Sequence, residues 1–174
     1  MGTAQNGLEG VFNTIAQAVG ELAGVQLVLS IGPVLDPQQI KSLPASAIVV
    51  NRAPQIELLR RSALCITHAG LNTTLEALTQ GVPLVAIPVT NDQPGVAARI
   101  AYTKTGAFVP LKELTVPRLT LLIDGVLRNP EYRENADRMR QVIADTNGLE
   151  KAANLLEEAF SLPRPLERKL AVHT

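Results

Sequence analysis

Residues 64–78 read LCITHAGLNTTLEAL, and this stretch decides the fold class. A short apolar run, residues 64–67, meets a turn containing Gly70, and a helical pattern then continues until Gly81. An apolar run of this length next to turn residues predicts a buried strand, and a glycine just past a periodic pattern predicts a helix end. The stretch is therefore predicted to form a strand, a tight turn and a helix, which is half of a parallel β-α-β unit.

The same alternation of short apolar runs and helical patterns extends in both directions. The other predicted strands are residues 26–31, 47–50, 84–87 and 106–109, and the predicted helices are 8–19, 54–61, 72–80, 94–105, 116–126, 131–145 and 149–160. Asp36 before Pro37, and Thr115 before a helical pattern, predict helix N-caps. Because parallel neighbours need crossover helices, this order predicts an α/β fold: a Rossmann-like, doubly wound parallel sheet covered on both faces.

We expect one domain over residues 1–160 and an extended arm over residues 161–174, which contains Pro163, Pro165 and several basic residues. The sequence opens with the turn Gly2-Thr3-Ala4-Gln5-Asn6, and a helical pattern follows at once. In a doubly wound fold the first such turn comes after strand one. We therefore expect the chain to begin just after that strand.

Composition excludes several kinds of partner. Sixteen basic residues balance sixteen acidic ones, so no overall field favours nucleic acid or an anionic membrane. Cys65 is the single cysteine, which rules out an intramolecular disulfide and suits a reducing compartment. The sequence shows neither a basic start followed by an apolar segment, as in a leader peptide, nor a stretch long enough to span a membrane. We therefore expect a cytoplasmic protein. Any peripheral contact with a membrane is expected to come from a domain outside this sequence.

The densest polar cluster lies where the strand of residues 64–67 turns into a helix. A helix N-terminus offers unpaired N–H groups and a positive dipole end, and Gly70 lets a phosphate approach the backbone closely. His68 can donate a hydrogen bond to a phosphate oxygen. Glu76 lies one helical turn beyond Asn72, about 6 Å along the axis, and can accept hydrogen bonds from a ribose diol. The spacing fits a nucleoside diphosphate.

A second polar loop, residues 90–93, follows the next strand and is predicted to lie beside the first. Asp92 and Gln93 in this loop suit sugar hydroxyls. Each candidate also has a structural explanation that is commoner for a single residue: Thr73 as a helix N-terminal hydroxyl, Glu76 as a solvated side chain, Asp92 as a loop cap. Their placement at the ends of neighbouring strands favours the binding interpretation.

These motifs resemble the donor-binding signature of UDP-sugar-dependent glycosyltransferases with the GT-B fold. The resemblance rests on Ala53-Pro54-Gln55, residues 66–78, Gly81-Val82-Pro83 and Asp92-Gln93, and the run from Pro88 to Arg99 is most similar to carotenoid (zeaxanthin) glycosyltransferases. It implies the carboxy-terminal, donor-binding half of such an enzyme. It further implies diphosphate contacts from Thr3, His68, Gly70, Asn72 and Thr73, uracil contacts from Gln55 with Arg52 and Ala53, ribose contacts from Glu76, and sugar contacts from Asp92 and Gln93.

One residue departs from the family pattern. Many relatives have tryptophan three residues before the glutamine, stacked on uracil, whereas this chain has Arg52. A guanidinium plane can also stack on a base, so uracil remains compatible.

The resemblance implies transfer of a hexose from a UDP-sugar to a hydroxyl of a small lipophilic acceptor such as a carotenoid. We expect the hexose to be glucose. The donor is a substrate, and neither cofactor nor metal is expected, since no Asp-x-Asp pair is present. We expect no catalytic residue in this chain beyond His68 assisting the leaving diphosphate, because the family's base and acceptor site belong to an amino-terminal domain. The isolated chain is therefore expected to be inactive and to self-associate through its exposed interdomain face.

Two alternatives remain at this point. A sugar-nucleotide epimerase shares the architecture, but it needs acid and base groups at the sugar, where only Asp92 is available. The chain can also be a donor-binding module that pairs with a separate acceptor-domain chain.

Overall fold

The computed structural model describes residues 9–161, which form seven helices and five short strands within that range. In chain order the elements are α1 (Glu9–Gly20), β1 (Val28–Ser30), β2 (Ile48–Val50), α2 (Gln55–Leu59), β3 (Cys65–Thr67), α3 (Leu71–Thr79), β4 (Leu84–Ala86), α4 (Gln93–Tyr102), β5 (Gly106–Phe108), α5 (Val116–Arg128), α6 (Pro130–Thr146) and α7 (Gly148–Ser161), with 3-10 turns at Pro37–Gln39 and Leu111–Glu113. The predicted order of strands and helices is confirmed over this range.

All strand pairs in the described range are parallel, and they form two separate ladders. β1 pairs with β2, with Leu29 opposite Val49. β4 lies between β3 and β5, with Ile66 opposite Val85 and Val85 opposite Ala107. The predicted parallel α/β class is confirmed, and the division of the sheet is a feature that the sequence pattern did not predict.

Helices cover both faces of the β3–β4–β5 ladder. On one face, Val85 and Ile87 belong to an apolar cluster with residues of α1 and α5, and Leu29 of the other ladder belongs to the same cluster. On the opposite face, Leu84 and Ala86 pack in a second cluster with residues of α3, α4 and α6. β4 is fully buried, and its alternating side chains contribute to both clusters, as expected for a central parallel strand.

Side-chain caps appear where the sequence predicted them. Asp36 accepts a hydrogen bond from the Gln38 N–H at 2.9 Å and starts the 3-10 turn at Pro37. Thr115 accepts from the Arg118 N–H and starts α5. Gly81 follows α3 with a φ of +66°, and a Cβ there would collide with the Asp137 carboxylate, so only glycine fits this turn without strain.

Two predicted boundaries differ from the structure. α7 ends at Ser161, one residue beyond the predicted helix end at Phe160, and residues 162–174, which hold most of the predicted arm, lie outside the described range. α4 ends at Tyr102 and not near Thr105, because Lys104 adopts a φ of +52° that turns the chain out of the helix. None of the helices in residues 9–161 is both long and apolar enough to cross a membrane.

Candidate functional site

Three loops leave the carboxyl ends of parallel strands and carry most of the candidate residues. β2 leads into residues 51–54, β3 into residues 68–70, and β4 into residues 87–92. In open α/β sheets, ligands bind in the crevice at this edge. The candidate site therefore lies at the carboxyl edge of the sheet.

The turn after β3 has a constrained backbone. Ala69 is buried and adopts a φ of +64°, a conformation that residues other than glycine seldom adopt. Its N–H donates to Thr67 Oγ1 at 3.3 Å, which helps to hold the turn. A strained backbone conformation persists only where the surrounding contacts enforce it. Such conformations are often found at functional sites.

His68 is packed directly against Gly70. A Cβ added to Gly70 would lie 2.6 Å from the His68 Nε2 and 2.8 Å from Cε1. The ring is nearly buried, with 8% of the residue exposed. The close packing of the imidazole therefore requires glycine at position 70. Since Gly70 immediately precedes α3, the ring lies beside the N-terminus of that helix.

Burial lowers the pKa of His68 below its ordinary value of 6.5, and the negative charge of Asp92 opposes this shift. The imidazole is consequently neutral at pH 7, with one ring nitrogen protonated. A neutral imidazole can donate one hydrogen bond to an anion. The influence of Asp92 on His68 also places the loops after β3 and β4 within electrostatic range of each other.

The N-terminus of α3 lacks a side-chain cap. Gly70 occupies the N-cap position and has no side chain to accept from the first N–H groups. The Thr74 N–H bonds to the Gly70 carbonyl at 3.0 Å, so the N–H groups of residues 71–73 precede the helical ladder. Asn72 is exposed and Thr73 is half-buried. This helix end can accept an anion.

Glu76 is joined to the start of α2 through Gln55. The Gln55 Nε2 donates to Glu76 Oε2 and also to Thr73 Oγ1, the latter at 3.3 Å. The amide group thus orients the carboxylate one helical turn beyond the start of α3. The structure thus brings Gln55, Thr73 and Glu76 together.

Asp92 and Gln93 follow β4 at the carboxyl edge of the sheet, but they differ in exposure and in hydrogen bonding. Asp92 is exposed at the N-cap of α4, and its side chain makes no cap hydrogen bond. Gln93 is buried, and its Oε1 accepts from the N–H groups of Val89 and Thr90 at 2.9 and 3.0 Å. Asn91, directly before Asp92, has a φ of +56°. Asp92 can face a ligand with its carboxylate, whereas the Gln93 oxygen already stabilises the loop.

Arg52 and Ala53 lie in the loop after β2, with Arg52 exposed and Ala53 half-buried. Thr3, the remaining candidate, lies outside the described residues. Sequence reasoning did not identify Thr67 and Ala69 as residues that shape the turn. The sequence did contain a signal for this turn, which is the hydroxyl of Thr67 two residues before Ala69. Threonine side chains commonly accept a hydrogen bond from a nearby backbone N–H.

A surface depression of about 400 Å³ lies elsewhere in the described part of the chain. Lys104, Glu131, Tyr132 and Phe108 are among the residues that line it, and it includes none of the candidate residues. Lys104 and Glu131 form an ion pair of 2.7 Å there. We place the site at the sheet edge, because the polar groups that converge on an uncapped helix end are found there.

The fold and the polar groups at the carboxyl edge of the sheet define a Rossmann-like α/β domain with a candidate anion-binding helix end. The family model described as UDP-glucoronosyl and UDP-glucosyl transferase matches residues 3–153. The chain therefore belongs to this family of transferases.

Individual relatives agree with the family. An NDP-glycosyltransferase of Bacillus subtilis is 31% identical over 90% of this chain, and a zeaxanthin glucosyltransferase of Pantoea ananas is 32% identical over 95%. The chain spans 40% and 38% of these two relatives, respectively. The similarity to carotenoid glycosyltransferases seen in the sequence is confirmed at the level of the family.

Solved structures show the same fold. The calicheamicin glycosyltransferase CalG4 superimposes with a TM-score of 0.82 at 26% identity, covering 91% of this chain and 41% of that protein. Os79 of O. sativa, solved with UDP and deoxynivalenol-3-glucoside, superimposes with a TM-score of 0.65 at 26% identity, covering 81% of this chain and 35% of that protein. The domain has the architecture of one part of a GT-B glycosyltransferase.

Proposed function

We propose that this chain binds a UDP-sugar as the donor domain of a glycosyltransferase. The observation that carries the proposal is the uncapped N-terminus of α3, with His68 packed beside it and Glu76 one turn beyond. Membership of the UDP-glucoronosyl and UDP-glucosyl transferase family supports it, as does the UDP bound to Os79. The diphosphate lies against the N–H groups of residues 71–73, and the ribose diol bonds to Glu76.

The remaining candidates complete the donor site. Gln55 orients Glu76 and lies next to the uracil position, where Arg52 stacks on the base. Thr3 and Thr73 add hydroxyl donors to the diphosphate, and Asp92 bonds to the sugar hydroxyls while Gln93 holds its loop in place. Arg52 replaces the tryptophan that stacks on uracil in many relatives, so we expect selectivity for the base to be lower in this chain.

The reaction we propose for the whole enzyme is an inverting displacement. The acceptor hydroxyl oxygen bonds to the anomeric carbon, the bond from that carbon to the diphosphate oxygen breaks, and UDP leaves with the electron pair. A base outside this domain takes the hydroxyl proton. The α3 N-terminus and the His68 N–H stabilise the charge that develops on the diphosphate, without metal.

The substrates that we propose are UDP-glucose and a small lipophilic alcohol such as a hydroxylated carotenoid. The similarity to zeaxanthin glucosyltransferase supports this choice. The acceptor site and the base come from a domain outside this chain, so the chain alone binds UDP weakly and transfers no sugar. A measurable rate of glycoside formation by the isolated chain would contradict this part of the proposal.

Glu76→Gln tests the donor site. Hydrogen bonds to charged groups contribute about 1.5 to 3 kcal/mol, so the variant should bind UDP about tenfold more weakly or worse. It should lose much less affinity for 2′-deoxy-UDP, which lacks one of the two ribose hydroxyls. Calorimetric or NMR titration of both proteins with both nucleotides measures the difference.

The matched control is Glu157→Gln, which makes the same change of charge on the exposed surface of α7. It should leave both affinities unchanged. Equal losses for the two nucleotides in Glu76→Gln, with an unchanged circular dichroism spectrum, would show that Glu76 acts structurally and not on the ribose.

A further inference from the structure

The last helix of the described range, α7 (Gly148–Ser161), is exposed along its whole length. None of its residues is buried, and none belongs to either apolar cluster of the domain. Leu149 and Phe160, near its two ends, are 90% and 87% exposed. α7 therefore adds nothing to the core that the described residues form.

The sequence of α7 is nevertheless amphipathic. Its apolar residues recur at intervals of three and four, and at about 100° per residue they fill one face about 160° wide. They are Leu149, Ala152, Ala153, Leu155, Leu156, Ala159 and Phe160. Because a helix of 14 residues is only marginally stable in water on its own, such a face is expected to be covered by a partner.

The charged residues of α7 distinguish between partners. The helix has three glutamates and one lysine, so its net charge is −2. Helices that bind anionic lipid surfaces are rich in lysine and arginine, and such a surface would repel α7. Lys151 and Glu158 lie on one edge of the apolar face, whereas Glu150 and Glu157 lie on the other. The edge with Lys151 and Glu158 is complementary to a second copy of itself.

We propose that the apolar face of α7 binds the same face of a second copy of this chain in an antiparallel helix pair. The two-fold axis passes between Asn154 and Leu155, so residues equally far from this point lie opposite each other. Leu149 then packs against Phe160 of the second copy. Because the interface is isologous, this contact forms twice.

The same register matches size and charge along the rest of the face. The small side chain of Ala153 lies opposite Leu156 of the second copy, and Lys151 lies opposite Glu158 of the second copy. A parallel pair would instead place Lys151 beside Lys151 and Glu158 beside Glu158. The antiparallel direction also aligns the two helix dipoles favourably.

The expected affinity is low. A helix of 14 residues is about 20 Å long, so the pair buries less than the roughly 1,600 Å² of a standard interface. On the other edge, Glu150 approaches Glu157 of the second copy, and this repulsion opposes pairing. We therefore expect a Kd on the order of 100 µM.

Sedimentation equilibrium of the complete 174-residue chain, from about 10 µM to about 1 mM, measures this Kd. Leu156→Asp places a charge inside the proposed interface and should weaken dimerisation by at least a hundredfold. The matched control is Leu121→Asp, because Leu121 of α5 is 74% exposed and Leu156 is 59% exposed. The control should leave the Kd unchanged, and circular dichroism checks that both variants fold.

A charge exchange tests the register. Lys151→Glu turns two attractive pairs into two repulsive ones and should weaken dimerisation about tenfold. Adding Glu158→Lys to this variant restores opposite charges at the same positions, so the double variant should regain most of the original affinity. Recovery of this kind requires that residues 151 and 158 of different copies are neighbours.

Several results would overturn the proposal. They are a wild-type chain that stays monomeric over the whole concentration range, a dimer that Leu156→Asp leaves intact, equal losses in Leu156→Asp and Leu121→Asp, and a double variant that associates no better than Lys151→Glu. Binding of the monomeric chain to phosphatidylserine vesicles would show that the face meets lipid and would equally contradict it. None of these outcomes affects the donor-site proposal, because α7 carries none of the candidate site residues.

Discussion

Gly70→Ala tests the contact between the α3 N-terminus and His68. The backbone at Gly70 has a φ of −62°, which alanine also adopts, so the substitution introduces no dihedral strain. The new Cβ would lie 2.6 Å from the His68 Nε2. Ordinary carbon contacts begin near 3.5 Å, so the ring must withdraw by roughly 1 Å.

The magnitude follows from the two consequences of that movement. Crowding in a packed site costs about 1 to 3 kcal/mol of stability. If the displaced imidazole loses its hydrogen bond to the charged diphosphate, binding weakens by about 1.5 to 3 kcal/mol, which is roughly 10- to 150-fold in Kd. Thermal unfolding measures the first effect, and NMR titration with UDP measures the second.

Gly125→Ala is the matched control. Its Cβ would meet nothing within 4 Å, and Gly125 lies inside α5. It should increase stability by about 0.5 to 1 kcal/mol and leave UDP binding unchanged. In a His68→Ala background, Gly70→Ala should cost much less stability, because the colliding ring is absent. Unaltered stability and affinity in the Gly70→Ala single variant would refute this account of the turn.

The remaining predictions concern titration. Between pH 6.5 and the lowered pKa of His68, the unfolded chain binds more protons than the folded chain. The free energy of unfolding should therefore decrease as the pH falls through this range and level off below it. Chemical denaturation of His68→Gln at several pH values should lack this component. Burial raises the pKa of the Cys65 thiol to about 11, so at pH 8 it should react with a disulfide reagent about a hundredfold more slowly in the folded chain than in urea. Comparable rates in the two states would show that the thiol is accessible.

The order of elements could be predicted because each one has a local signal. Pro37 after Asp36, Thr115 before α5 and Gly81 after α3 act within a few residues of themselves. The division of the strands into two ladders has no local signal, because pairing partners are distant in sequence. The pattern showed that strands alternate with helices, but not which of them are neighbours.

The candidate site was predictable in composition and less so in geometry. Its residues follow strand ends, and strand ends are visible in sequence. The hydrogen bonds of Gln93 to the loop backbone depend on the left-handed conformation of Asn91, which the sequence only permits. The contact of His68 with Gly70 likewise depends on the left-handed Ala69 between them.

The sharing of β4 between two apolar clusters bears on how the domain unfolds. Val85 belongs to one cluster, and Leu84 and Ala86 belong to the other, so neither helical layer can separate without disturbing the same strand. The layers are therefore coupled into one cooperative unit. β1 contributes only to the cluster that contains Leu29, so separation of the β1–β2 ladder disturbs one apolar layer and not both.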